Sequence, residues 1–410
     1  MSKILIIGTV WPEPNSTAAG SRMLQIIEQF QLMHYEIVFA STALIGEYSF
    51  DLKSINVEMV DIELNSSSFD IFILELNPEI VVFDRFMIEE QFGWRVAENL
   101  PNCLRILDTE DLHFVRNTRF DNFKKNKITV ENDYLKSDFA QREIASIYRC
   151  DISLIISEVE LAILTDVFNI DASILHYLPF LLDEIPKDGF AMFPSFAERR
   201  HFVTIGNFRH EPNWNAVLYL KESIWPLIKN QIPDAEMHIY GSYVTEKAMN
   251  LHNEKESFLI KGRAENANEI IRNARVLLAP IRFGAGLKGK LTDAMQAGTP
   301  SITTIIGAEA MAGNLDWSGV ITDGIQTFSN ESVVLYSDEN LWTIAQENGI
   351  KIVNSKFNKN IFGSLFINKI KLTISNLDNH RTKNFIGSML QMQTLKSTKY
   401  MSKWIEAKNK

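Results

Sequence analysis

The sequence predicts an α/β protein built from two successive, doubly wound parallel-sheet domains. Three observations lead there. Short, continuously apolar runs rich in Ile and Val alternate with helix-length periodic segments, the pattern of parallel strands covered on both faces. The rhythm breaks at a stretch containing Pro186, Gly189 and Pro194 and then restarts. A length of 410 residues suits two domains at roughly 100–200 residues each.

The first series of strands is expected at residues 4–8, 36–40, 80–84, 104–108 and 153–157, with helical periods at 20–33 and 138–148 between them. The apolar run at 4–7 is too short for a signal peptide, and Pro12 and Pro14 follow it at once, so it reads as a buried strand. The second series is expected at 202–206, 235–240, 258–261, 276–280 and 301–304. These place the first domain at 1–185, a linker at 186–200 and the second domain at 201–380. Residues 381–410 read as a basic amphipathic C-terminal helix, with Tyr400, Trp404 and Ile405 on its apolar side. A helix lying on a membrane surface is the compatible alternative.

Hydrophobic residues make up 46 % and charged residues 22 % of the chain, which excludes a disordered, collagen-like or disulfide-stapled protein. Cys103 and Cys150 sit in apolar contexts without metal-ligand spacing and read as reduced core residues of a cytoplasmic protein. No apolar run is long enough to span a bilayer. Residues 351–410 carry twelve Lys and Arg against two Asp and Glu, so the rest of the chain has a net charge of −20. The acidic body argues against nucleic-acid binding. The basic tail either neutralises an acidic surface of its own protein or makes peripheral contact with the inner membrane face.

Ligands of open α/β sheets bind outside the carboxyl ends of the strands, so two such domains place the site in the cleft between them. After the first strand comes a long loop, 8–22, ending in the small residues Ala18, Ala19 and Gly20 and then Arg22. It lacks the three-glycine dinucleotide spacing. Its helix N-terminus suits an anion or a sugar hydroxyl, or is a plain helix cap. The strongest segment is 279–300. A strand ends in Gly284-Ala285-Gly286, and a helix opens carrying Lys290 and Asp293. Glycines admit a diphosphate, the helix N-terminus supplies free N–H donors, and Lys290 supplies a mobile cation. Asp293, one turn on, suits two ribose hydroxyls. Lys288 is expected on another face of the helix start.

Segments 205–213, 225–226, 233–236, 240–242, 261–263, 279–300 and 303–311 occur here in the order and spacing of a known family. The chain resembles a family 4 glycosyltransferase of the GT-B fold, with a looser match in the first half at the opening loop, residues 107–113 and residues 157–160. The resemblance implies that Asp293 holds the nucleotide ribose, where most members have glutamate. It implies Lys290 and the amides of Ala285 and Gly286 at the diphosphate, Gly206, Asn207 and Arg209 lining the same phosphates, and Gly262 and Arg263 beside the base. His113 and Gly20 would lie near the transferred sugar, with Ala19, Arg22 and Asp111 on the acceptor side. Glu309 either contacts a sugar hydroxyl or caps a turn. Lys290, His113 and Arg209 are the candidate catalytic residues. The resemblance also implies that the C-terminal helix at 381–410 packs back on the first domain.

Two departures stand out. Most members carry a second glutamate where this chain has Ala285, and the usual Gly-Arg with a following Lys is here Gly206-Asn207, leaving Arg209 or Arg282 as the cationic partner. Arg22, Arg85 and Arg116 either meet an anionic acceptor or form ion pairs. No Asp-x-Asp occurs, so no metal and no cofactor is expected beyond the nucleotide-sugar substrate. The implied reaction is transfer of a sugar, with retained anomeric configuration, from a nucleotide-diphosphate sugar to a glycan or lipid-linked acceptor in polysaccharide or glycolipid biosynthesis. A nucleotide-sugar 2-epimerase of the same architecture and a non-catalytic nucleotide-sugar-binding protein are the alternatives.

Overall fold

The computed structural model describes residues 2–186 and 193–392, with residues 401, 404, 405 and 408 beyond them. The first sheet contains β1 (Lys3–Gly8), β2 (Glu36–Ser41), β3 (Val57–Asp61), β4 (Ile80–Asp84), β5 (Leu104–Asp108), β6 (Ile152–Ile155) and β7 (Leu175–Tyr177) in the order β3-β2-β1-β4-β5-β6-β7. The second contains β8 (Arg200–Ile205), β9 (Met237–Tyr240), β10 (Phe258–Gly262), β11 (Ala274–Ala279), β12 (Ser301–Thr303) and β13 (Gly319–Ile321) in the order β10-β9-β8-β11-β12-β13. Neighbouring strands pair parallel in both sheets. The two doubly wound domains are therefore as expected. β3, β7 and β13 are strands that the apolar runs did not announce.

In each sheet the strand order reverses beside the first strand, at β1/β4 and at β8/β11. Loops leaving these strands diverge and open a crevice. Buried Ile4, Leu5, Ile6 and Ile7 fill both faces of β1, and Val276, Leu277, Leu278 and Ala279 do the same for β11. The loops that follow these two strands are the opening loop and the Gly-Ala-Gly loop.

The chain passes between the domains twice, and the two passages are tied together. The Leu182 N–H donates to the Phe357 carbonyl at 2.7 Å and the Lys359 N–H to the Leu182 carbonyl at 2.8 Å. From there the helix Lys359–Ser375 lies on the first domain. Its Phe366 and Ile370 are buried in that domain's core, with the Phe366 ring 5.5 Å from Phe30. The return therefore begins near residue 358 rather than at 381, which corrects the expected second-domain boundary. The crossing lies at Phe357 and Asn358, between the helices Glu339–Lys356 and Lys359–Ser375, where Asn358 caps the second helix. Residues 381–391 also pack on the first domain. The Arg381 guanidinium bonds both Asp151 carboxylate oxygens, at 2.7 and 2.8 Å, and the Cys103 carbonyl at 2.7 Å. Of the expected helix over 384–409, Phe385–Gln391 is helical. Most of its remainder lies outside the described residues, as does 187–192 of the linker. No helix among the described residues is long and apolar enough to cross a membrane.

Arg22 is the first correction among the candidate site residues. It is 1 % exposed, and its Nε and Nη2 donate to Asp108 at 3.0 and 2.9 Å while Nη1 donates to the Leu178 carbonyl at 2.6 Å. It ties the opening helix, Ala18–Leu32, to β5 and to the chain after β7, and it does not face the cleft. Removing one partner of a buried pair strands the other charge, which costs about 3–5 kcal/mol. Arg22→Ala should therefore lower first-domain stability by that amount in urea titration. An Arg22→Ala midpoint equal to the wild-type value would contradict this assignment.

Candidate active site in the interdomain cleft

The second domain contributes a phosphate-type wall. After β11 the chain turns through Gly284, at φ 150°, and Gly286, at φ 61°, and enters the helix Gly289–Gln296. No side chain caps that N-terminus, so its first amides and positive dipole face the cleft floor. Lys290 and Asp293 project from its first two turns. The Lys290 ammonium donates to Asn213 Oδ1 at 2.9 Å. A side chain at Gly206 would meet the Asn213 amide at 2.7 Å and the Lys290 Nζ at 3.0 Å. Gly206, Asn213 and Lys290 thus form one surface. The Asp293 carboxylate has no hydrogen-bond partner among the described residues. Burial pushes it up to about 7 against the pull of Lys290, and burial pushes Lys290 down to about 8 against the pull of Asp293.

Gly262 sits at φ 82°, and a Cβ placed on it would meet nothing within 4 Å. It borders a cavity of about 410 Å³ lined by Val244, Thr245, Glu246, Met249 and Asn250. A larger cavity of about 700 Å³, lined by Lys3, Pro78, Glu79 and Cys103 among others, lies at the opposite end of the first sheet and is remote from this wall. Asn207 shapes its loop by accepting the Arg209 N–H at 2.8 Å. The Arg209 guanidinium lies 4.0 Å above the Tyr243 ring, and Arg263 lies 4.2 Å above Tyr48 of the first domain. Arg282 stacks on Tyr219 and Phe123 and donates to Asn215 at 2.8 Å. Between the two candidate cations, Arg209 is the one on the Gly206 loop.

The first domain contributes a wall of paired charges. Asp111 accepts from Arg116 Nη1 at 2.7 and 2.6 Å. Burial raises the Asp111 carboxyl, but Arg116 and His113 outweigh it and hold the group low. Arg85, at φ 73°, donates to Asp84 at 3.2 Å and lies 3.8 Å from Glu110. Arg85 and Arg116 are thus ion-paired. His113 is 6 % exposed, and burial holds it down to about 4, so it is neutral at pH 7. Its Nε2 is 3.5 Å from Asp111 and has no hydrogen-bond partner among the described residues. Glu110, Asp111 and His113 lie within 4.8 Å of one another, a spacing that a cation could bridge, but the two carboxylates already face Arg116 and Arg85. Ala19 and Gly20 open the first helix, where Thr17 Oγ1 accepts the Gly20 N–H at 3.0 Å. A Cβ at Gly20 would strike the Glu13 backbone at 2.5 Å, so glycine is required for the loop to fold over its own helix.

Several residues that sequence reasoning did not single out lie at the seam. Glu160, 1 % exposed, accepts the N–H of Leu112 at 3.0 Å and of Gly286 at 2.9 Å, and burial pushes it up to about 8. The Gly286 amide, expected at a diphosphate, is therefore committed to a first-domain carboxyl. The Ala285 methyl packs against the first domain's core. Arg119 donates to both oxygens of Glu309, at 2.7 and 2.9 Å, and to the Gly284 carbonyl at 2.9 Å. Glu309 is thus no turn cap; its carboxylate is held across the cleft. Lys288 points to a different wall from Lys290, as expected, but it is not solvated. Its ammonium folds back onto the Gly286 carbonyl at 2.6 Å and the Ala285 carbonyl at 3.3 Å. His210, which precedes the helix Glu211–Tyr219, is exposed to solvent.

Residues 199–338 match the family model described as glycosyl transferases group 1. The chain carries a group 1 glycosyltransferase domain. The curated proteins contain no match to the sequence. Solved structures similar to it share the GT-B glycosyltransferase fold. A sucrose-phosphate synthase from Thermosynechococcus elongatus superposes with a TM-score of 0.66 at 13 % identity, over 92 % of this chain and 100 % of that one. S. aureus TarM, in a complex with fondaparinux, α-GlcNAc-glycerol and UDP, gives 0.65 at 10 %, over 90 % and 99 %. Anabaena HepE with UDP and glucose gives 0.65 at 8 %, over 90 % and 100 %. At these identities the structural likeness carries the fold alone. The glycosyltransferase domain is the second domain, the one that holds Lys290 and Asp293.

The two shifted groups predict a bell-shaped pH dependence for binding of an intact nucleotide sugar, whose diphosphate does not itself titrate near neutrality. A ribose placed at Asp293 would donate to the ionised carboxylate, so binding should weaken as the pH falls below about 7. A diphosphate placed at Lys290 would need the charged ammonium, so binding should weaken as the pH rises above about 8. In calorimetric titrations Asp293→Asn should abolish the acid limb, and Lys290→Arg the alkaline one, because guanidinium stays protonated. A flat profile for the wild type would refute both assignments.

Proposed function

We propose that the protein transfers a sugar from a nucleotide-diphosphate sugar to an acceptor hydroxyl, without a metal ion and with retention of configuration. The observation that carries this reading is the pair Lys290 and Asp293 at the uncapped N-terminus of Gly289–Gln296, inside the segment that matches the family. In this reading Asp293 accepts from the ribose, Lys290 and the first helix amides take the diphosphate with Gly206 and Arg209 beside it, and the cavity next to Gly262 and Arg263 takes the base. Two of the similar structures were solved with UDP, which supports a nucleoside diphosphate as the leaving group.

Charge grows on that leaving group as the glycosidic bond breaks. A preorganised ammonium and helix amides stabilise it at no cost in reorganisation. This takes the place that a metal ion occupies in other enzymes. Asp111, Glu309 and Glu160 are committed to Arg116, Arg119 and backbone amides respectively. That favours front-side attack within an ion pair, with the leaving phosphate accepting the acceptor's proton, over a protein nucleophile. His113 and Asp111 stand on the acceptor side. A glycan or lipid-linked acceptor, a role in polysaccharide or glycolipid synthesis, and a cytoplasmic location with peripheral membrane contact through the basic tail complete the proposal. The proposal includes no cofactor.

The test is incubation with a panel of nucleotide sugars and acceptors, scored by release of nucleoside diphosphate with and without a chelator. Turnover should survive chelation, and complete loss would sink the metal-free mechanism. Donor interconversion without an acceptor would indicate the epimerase. Lys290→Ala should lower turnover by about 10²–10³, the typical cost of one such group, with a smaller loss of donor affinity because the interaction strengthens toward the transition state. Equal turnover in Lys290→Ala and wild type would remove Lys290 from the mechanism.

A further inference from the structure

We infer that Arg119, on the first domain's helix His113–Lys124, is a positioning residue that presents Glu309 and the Gly284–Gly286 loop to the donor sugar across the domain seam. The inference rests on the transferase reading above and extends it to a residue that no motif marks. Arg119 is largely buried, and its guanidinium makes four hydrogen bonds. One edge meets both oxygens of Glu309, Nη1 also meets the Gly284 carbonyl, and Nε lies 3.3 Å from the Tyr134 hydroxyl. Such bidentate, charge-assisted contacts fix direction as well as distance. Around them, Phe283 lies between Phe120 and Phe123, at 4.8 Å from each ring. Glu160 holds the Gly286 amide at 2.9 Å. Each half of the turn is thus anchored to the acceptor domain before any donor arrives.

The bidentate pair does not exhaust Glu309. A carboxylate offers about four lone-pair sites, Arg119 takes two, and the side chain keeps 19 % exposure toward the cleft. The remaining lone pairs can accept sugar hydroxyls. Ala285 has no carboxylate to offer the sugar, and its half-buried methyl packs against the first domain's core. The carboxylate available on this loop-facing side is therefore Glu309, and its direction is set by a residue of the other domain. Donor-sugar recognition then requires the domains to be closed, whereas the nucleoside diphosphate, held by Lys290 and Asp293, does not depend on Arg119.

Two arms test this on the full chain. In the first, hydrogen exchange of peptides covering residues 283–290 is measured without ligand. Arg119→Ala should speed exchange by about 10- to 100-fold, the range for a hydrogen bond to a charged group, with Arg119→Lys intermediate. The charge-swapped double variant Arg119→Glu/Glu309→Arg should restore protection. Far-UV circular dichroism confirms that each variant is folded. In the second, calorimetry compares UDP with UDP-glucose, and GDP with GDP-mannose. Arg119→Ala and Glu309→Gln should bind the bare diphosphate within about twofold of wild type but lose about tenfold for the intact donor, roughly 1.4 kcal/mol. The charge swap should not restore donor affinity, since its carboxylate lies on the wrong side of the seam. Unchanged exchange in Arg119→Ala overturns the inference. Equal losses for diphosphate and donor overturn it as well, leaving a structural role only. A wild type that binds none of the four ligands counts against the transferase reading, and the exchange arm then decides the clamp by itself.

Discussion

The close approach of the Gly-Ala-Gly loop to the first domain governs the rest of the molecule. A Cβ at Gly286 would lie 2.8 Å from the Cβ of Asp111, and one at Gly289 would lie 2.6 Å from the Cβ of Ala18. Neither neighbour is a flexible chain end that could swing aside, and Gly286 also needs its positive φ. These two glycines set how near the second domain's helix N-terminus comes to the first domain. That separation allows the Ala285 methyl to pack against the first domain's core, Glu160 to reach the Gly286 amide and Arg119 to reach the Gly284 carbonyl. A larger residue at either position would move the walls of the two domains apart.

Bringing two polar walls this close strips water from them, and stripped charges must find partners. Most do. Arg22 meets Asp108, Arg116 meets Asp111 and Arg119 meets Glu309. Lys290 and Asp293 are the exception. They lie on one helix face, and neither fully neutralises the other. Burial draws the lysine down to about 8 and the carboxyl up to about 7. A half-buried pair poised near neutrality is the pattern expected where a ligand completes the charge balance. In the proposed complex the diphosphate restores the ammonium and the ribose restores the carboxylate.

What the sequence disclosed follows the range of the interactions involved. Central strands such as β1 and β11 are buried on both faces and read as unbroken apolar runs. β3 (Val57–Asp61) is a sheet edge with Glu58 and Asp61 exposed, and β7 and β13 are three residues long, so none gave a run to recognise. The phosphate wall was legible because Gly284, Gly286, Lys290 and Asp293 fall within ten residues and their chemistry is local. Arg119 and Glu160 were not legible, because their partners lie 190 and 126 residues away and only domain closure joins them. Glu309 was noticed without its partner. For Lys288 only the face was legible, because helix geometry fixes which face a side chain leaves from, not whether it folds back onto the loop preceding its own helix.

The first-domain wall is one whose charges are largely paired. Arg85 and Arg116 face Glu110, Asp84 and Asp111, and Arg22 is sealed inside the first domain. None of these three guanidinium groups is left over for an anionic acceptor, so recognition by charge is a poor account of this wall. Recognition by hydrogen bonds is a better one. Arg85 holds a positive φ that costs a non-glycine residue energy, and such strain persists where the surroundings fix it. His113 Nε2 is buried without a partner, which costs about 1–3 kcal/mol. In the proposed reaction the acceptor therefore meets a wall whose charges are already spent on each other, and shape and neutral hydrogen bonding select it rather than ion pairing.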